Sequence, residues 1–99
     1  MIVDELIEAM TEASGVTREV MLSKSRRRDA CAARHLIWAQ LRRHYMWSNA
    51  RIGYAFGRDH ATVTKGIQRA GIYLDTSGYD EERLISESFT RILTEKDID

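Results

Sequence analysis

Asp59, His60 and Ala61 are three neighbouring residues that can touch a nucleobase in different ways. The carboxylate can accept from cytosine N4, the imidazole can meet a base edge or a thymine methyl, and the alanine methyl can rest against another methyl. This chemistry needs the three side chains held at an exposed edge, and the neighbouring residues supply the frame. Ser48 suits the N-cap of a short helix, with Trp47 and Ile52 placed as a hydrophobic staple. Gly57 supplies the positive-φ residue that ends it. Val63, Ile67, Ala70 and Leu74 then recur at helical spacing, so a second helix opens near Asp59 with His60, Ala61 and Thr62 at its mouth. Two helices about a tight turn, over about 48–74, form a helix-turn-helix, in which the first residues of the second helix meet base edges. Asp59 also suits the N-cap of that helix, a role that needs no ligand.

A second stretch with chemistry is Ser-Lys-Ser-Arg-Arg-Arg, residues 23–28. Lys24, Arg26, Arg27 and Arg28 sit in a connection, so their guanidinium groups can reach past the backbone into a groove. The narrow minor groove of A/T-rich DNA attracts such groups through its negative potential. The chain as a whole is neutral, with 15 basic and 15 acidic residues, but its charge is partitioned. Residues 1–17 hold four acids and no base, and residues 75–99 have net charge −5; residues 18–74 between them hold +9. A basic face on a neutral domain is the footprint of a nucleic-acid reader that can still release and search.

The elements that must carry these residues are helices. Proline is absent, there are six glycines, and 43% of residues are hydrophobic, which predicts one all-α domain over 1–99, a small helical bundle bounded by the chain ends. Val3, Leu6, Ile7 and Met10 stripe a first helix that ends near Ser14 and Gly15. Thr17 caps a short second helix, with Val16 and Met21 as its staple, that runs to about Leu22. A longer helix follows from Asp29 to about Tyr45, with Ala30, Ala33, Ile37, Leu41 and Trp38 inward and Arg34, Arg42 and Arg43 outward. Asp75–Gly78 reads as a turn, and Asp80 caps a last helix with Tyr79 and Leu84 as its staple and Ile85, Phe89 and Ile92 facing the core. No repeat or low-complexity tract interrupts the chain.

Several functional classes are not expected. No apolar run approaches the roughly 18 residues of a membrane span, and the acidic start does not resemble a signal peptide, so a soluble cytoplasmic chain with no membrane partner is expected. A single cysteine, Cys31, excludes an intrachain disulfide and fits a reducing compartment. There is no Gly-x-x-x-x-Gly-Lys-Ser/Thr loop, so neither nucleotide binding nor ATP hydrolysis is expected. Cys31 and His35 share a helical face and His44 is a conceivable third ligand, but paired metal-binding motifs are missing, and no metal or other cofactor is expected. Adjacent Asp59 and His60 point about 100° apart on a helix, a poor catalytic dyad. The chain does not read as an enzyme.

Gly-Arg-Asp-His-Ala-Thr-Val, residues 57–63, resembles the signature of the C-terminal DNA-binding domain (domain IV) of the DnaA replication-initiator family, whose usual form is Arg-Asp-His-Thr-Thr-Val. Similarly spaced are Ser-Lys-Ser-Arg-Arg-Arg (23–28), Ala-Arg-His (33–35), Arg42, and Arg-Ile-Gly-Tyr-Ala-Phe-Gly (51–57), so the resemblance covers nearly the whole chain. It implies a Trp-repressor-like helical bundle that binds a DnaA-box-like element in double-stranded DNA on the nucleoid and acts in replication initiation or its regulation, with replication proteins as further partners. Asp59, His60 and Ala61 then read bases, Arg26 enters the minor groove with Arg28 nearby, and Lys24, Arg27, Arg34, His35, Arg42, Ser48, Thr62 and Lys65 contact the phosphate backbone. For Ser48, capping alone explains the residue. The chain departs from the family pattern in having one glycine at the turn where many relatives have two, in Ala61 for threonine, and in Ala33 and Ala50 where prolines are frequent. These departures bear on the preferred DNA sequence. The alternative is a protein-interaction adaptor, in which Trp38, Trp47, Tyr54 and the acidic ends meet a partner, or a small transcriptional regulator on the same fold; two partly exposed tryptophans would favour the adaptor.

Overall fold

The computed structural model describes residues 2–71 together with Phe89 and Thr90. Five helices order the main part: α1 (Ile2–Ser14), α2 (Arg18–Leu22), α3 (Arg28–His44), α4 (Asn49–Phe56) and α5 (His60–Gly71). No strand occurs among the described residues, and the expected all-α bundle is the observed class. Phe89, expected in the core, is helical and buried. The turn at 75–78, the cap at Asp80, the staple of Tyr79 and Leu84, and Leu74, Ile85 and Ile92 lie outside the described residues.

Local rules set most of the boundaries. α1 stops at Gly15, whose φ of 77° continues no right-handed helix, and Ser14 Oγ donates to the Met10 carbonyl 2.6 Å away. The Thr17 hydroxyl accepts from Val20 N–H and starts α2, while the staple residues Val16 and Met21 are both buried. α3 leaves through Met46, an exposed residue at φ 60°, and Trp47 N–H donates back to the Leu41 carbonyl. Ser48 then caps α4 by accepting from Arg51 N–H at 3.1 Å, over the buried staple of Trp47 and Ile52.

α3 is the hub on which α1, α2 and α5 pack, with α5 making the most extensive contact; α4 packs mainly on α5. Ala30, Ala33, Ile37, Trp38 and Leu41 form the inward stripe of α3, all at most 1% exposed. Burying a side chain such as Ile37 or Leu41 contributes about 1.5–3 kcal/mol, and the α3–α5 seam, the most extensive contact among the helices, is the main anchor of α5. At its centre Trp38 meets Phe56 edge-on at 5.9 Å and His35 tilted at 5.3 Å. The same rings explain Gly66: a Cβ there would come within 2.6–2.7 Å of Trp38 and His35. The missing side chain lets α5 lie close on α3.

Candidate nucleic-acid interface

The turn between α4 and α5 closes with one glycine. Gly57 takes φ 66° and ψ 36°, Arg58 N–H donates to the Gly53 carbonyl at 2.8 Å, and Gly57 N–H reaches the Tyr54 carbonyl at 3.5 Å. This pair of bonds is the Schellman pattern and satisfies the last carbonyls of α4. It also fixes Gly53, because a Cβ there would run into the Arg58 carbonyl oxygen. Asp59 follows as N-cap of α5: its Oδ1 accepts from Thr62 N–H at 2.8 Å and its carbonyl from Val63 N–H at 3.2 Å. The Thr62 backbone N–H, and next its hydroxyl, hold the Asp59 carboxyl below the usual carboxylate range. His60, Ala61, Thr62 and Lys65 are all exposed on the first turns of α5. Asn49 Nδ2 donates to Thr64 Oγ1, and Thr64 Oγ1 to the His60 carbonyl, which ties α4 to the start of α5.

The basic connection between α2 and α3 is built rather than loose. Ser23 Oγ donates to the Val20 carbonyl and accepts from Ser25 N–H, and Ser25 Oγ accepts from Arg27 N–H, a chain of short-range serine bonds of the kind that stabilises turns. Arg34 departs from its expected outward place: it is 4% exposed, and its guanidinium donates to the carbonyls of Met21 at 2.7 Å, Ser25 at 3.1 Å and Val20 at 3.3 Å. Val20 and Met21 belong to the last turn of α2, where carbonyls lack helical partners and favour a cation. Arg34 is therefore the buried strut of the connection rather than an outward phosphate contact. Lys24 Nζ donates to the Gly57 carbonyl at 3.2 Å, across to the helix-turn-helix turn. Arg27 forks onto Asp29, Nε to Oδ1 at 3.1 Å and Nη2 to Oδ2 at 2.8 Å, and that guanidinium keeps the Asp29 carboxyl below its ordinary value. Arg28 is exposed at the first position of α3. Arg26 is exposed with no hydrogen-bond or ion-pair partner among the described residues, the arrangement a groove-entering side chain needs.

These two regions meet at an open cavity of about 530 Å³. Among the described residues, Lys24, Arg26, Arg34, His35 and Thr62 line it together with Arg58, Arg69, Ser25, Cys31 and Trp38, with no carboxylate. His35, expected on phosphate, is half-buried with its ring tilted on Trp38 at the cavity wall. Arg42 and Ser48 are exposed outside this cavity, and the Ser48 hydroxyl already serves as a cap. Arg51 places its guanidinium carbon 3.8 Å above the centre of the Trp47 ring.

Residues 3–70 match the family described as the bacterial dnaA protein helix-turn-helix. The chain belongs to that family. Similar relatives include the chromosomal replication initiator protein DnaA of Picosynechococcus sp., 34% identical over 90 residues, which are 90% of this chain and 20% of that protein. A second is the DnaA protein of Oleidesulfovibrio alaskensis, 34% identical over 65 residues, 66% of this chain and 14% of that one. The chain thus spans about a fifth of the first relative and less of the second.

As a DnaA-type helix-turn-helix this is a DNA-binding domain, and its geometry adds residues that the sequence reading did not single out. Arg58 and Arg69 both line the basic cavity. Arg58 stands inside the signature, yet its neighbours at Asp59 and His60 drew the chemical reading; Arg69 is exposed on α5 two turns beyond Thr62, the spacing that returns a residue to the same face. The adaptor reading loses the two tryptophans that would favour it, because Trp38 is 1% and Trp47 8% exposed, while Tyr54 is open at 92%. Among the described residues, no helix is long and apolar enough to cross a membrane.

Proposed function

We propose that this chain binds double-stranded DNA sequence-specifically at a DnaA-box-like element. α5 enters the major groove with Asp59, His60 and Ala61 at base edges, and Arg26 enters an adjacent minor groove with Arg28 beside it. The observation that carries this reading is the placement of the exposed mouth of α5 beside a cavity lined, among the described residues, by four arginines and a lysine and by no carboxylate. Phosphate contacts from Arg42, Thr62, Lys65 and Arg69 fix register without reading sequence. The domain acts by binding, with no catalytic step and no nucleotide, on the nucleoid, in replication initiation or its regulation and in company with replication proteins. The similarity to the two initiator proteins supports that setting.

The test is a titration with duplex carrying or lacking a DnaA box at two salt concentrations. The box should bind more tightly at both, and with roughly five phosphates engaged log K against log salt should slope near −4 to −5. Equal affinity for both duplexes would refute sequence-specific reading. A flat salt dependence would refute the basic face as the DNA surface.

A further inference from the structure

Arg58, like Arg34, lines the interface with a guanidinium already committed to backbone. Its Nη1 donates to the Phe56 carbonyl at 2.7 Å, at the end of α4, and its Nη2 to the Ser23 carbonyl at 2.6 Å, 35 residues away at the end of α2. Its backbone N–H closes the turn on Gly53. Lys24 returns the link by donating to the Gly57 carbonyl. Two side chains, one from each region, thus cross between the basic connection and the helix-turn-helix turn, and each ends on backbone. Backbone acceptors matter here because they fix the path of the chain, whereas a side-chain partner could swing away.

We infer that Arg58 is a positioning residue that locks the connection bearing Arg26 to the start of α5, so that the minor-groove and major-groove contacts are read at one fixed spacing. This rests on the DNA-reading assignment above. With Arg34 holding the carbonyls of Val20, Met21 and Ser25 from the α3 side, the segment 20–25 is gripped by two guanidinium groups, one from α3 and one from the turn between α4 and α5. Arg26 follows this gripped segment directly, and Asp59 follows Arg58 directly. The guanidinium fork can serve two carbonyls at once in a fixed plane, which the point charge of a lysine cannot. Partial burial, and after it the neighbouring Arg34 charge, ease the Arg58 proton relative to an ordinary arginine, as expected of a group drawn into the fold rather than left in solvent.

The experiment uses the whole chain and a set of duplexes with one DnaA-box core. In these, the A/T-rich flank stands at its best spacing or is displaced by one or two base pairs. The parent should lose about tenfold in affinity on displacement, the usual cost of one base-level contact. Arg58→Lys keeps the charge, so its salt slope should match the parent, while its penalty for displacement falls below about threefold as the two regions move independently. A retained tenfold penalty in Arg58→Lys overturns the positioning role. So does uniform weakening on every duplex with a shallower salt slope, which would make Arg58 a phosphate contact. If Arg58→Lys melts before titration, Lys24→Gln removes the second tie from an exposed site: a widened spacing optimum supports the lock and an unchanged one overturns it. A parent that prefers the box yet tolerates every spacing refutes the lock and leaves the DNA-reading assignment standing. A parent with no preference for the box refutes both.

Discussion

The connection over 23–28 and the mouth of α5 over 59–62 are both polar and solvent-facing, yet they are held by opposite means. The mouth of α5 is held by its own helix: one aspartate cap, one glycine turn and an apolar seam against α3 fix four consecutive residues. Up to Arg27 the connection has no regular structure of its own and is held by its serines and, from outside, by Arg34 of α3 and Arg58 of the turn. A helix gives rigidity through local repetition, whereas a loop obtains it only from side chains that satisfy its carbonyls. Removing one external strut should therefore loosen the connection and leave α5 in place.

The largest effect should come from Arg34→Ala. It removes the guanidinium from the carbonyls of Met21, Ser25 and Val20, of which Val20 keeps its Ser23 donors, and leaves a buried void, which should lower the unfolding free energy by about 2–4 kcal/mol. Urea unfolding measures this, and a loss under about 0.5 kcal/mol, typical of a surface site, would mean that the strut carries no weight. Gly53→Ala strikes the other region. A Cβ against the Arg58 carbonyl must push the turn open, at about 1–3 kcal/mol, and should shift NMR signals of α4 and α5 more than those of 23–28. Equal shifts in both regions would blur the proposed distinction.

The contrast also explains what could be read from the sequence. Thr17, Ser48, Gly57 and Asp59 were legible because capping and turn closure depend on residues within five positions. Ala30, Ala33, Ile37, Trp38 and Leu41 were legible as a stripe. Arg34 lies on that same stripe, four residues from Ala30 and from Trp38, but its charge argued for an outward place. The period was right and the charge misleading, because orphan carbonyls of α2 make a buried site for a guanidinium. The bridge from Arg58 to Ser23 left no sequence signal, since a backbone carbonyl acceptor can belong to any residue type. Gly53 and Gly66 matched or missed a pattern for reasons visible only when the opposing carbonyl or ring is in place.

A smaller effect separates the regions by pH. The Asp59 carboxyl is held below its unfolded value of about 3.9, so the stability it adds is complete above that pH and is lost as pH falls through the lower folded value. Asparagine caps as well and does not titrate. The parent should lose stability below about pH 4 more steeply than Asp59→Asn. Asp29 is depressed by Arg27 in both proteins and cancels from the difference. Parallel acid limbs in thermal unfolding would show that the charged cap adds nothing.

The most direct measurement is the ratio of affinities for a DnaA-box duplex and a random duplex, at one salt concentration, for the parent and His60→Ala. His60 is exposed immediately after the cap, the position from which the proposed reading has it meet a base edge. Its loss should cost about 1–3 kcal/mol on the box and leave random-duplex binding nearly unchanged, so the ratio collapses. If both affinities fall equally and the ratio survives, the mouth of α5 does not read bases.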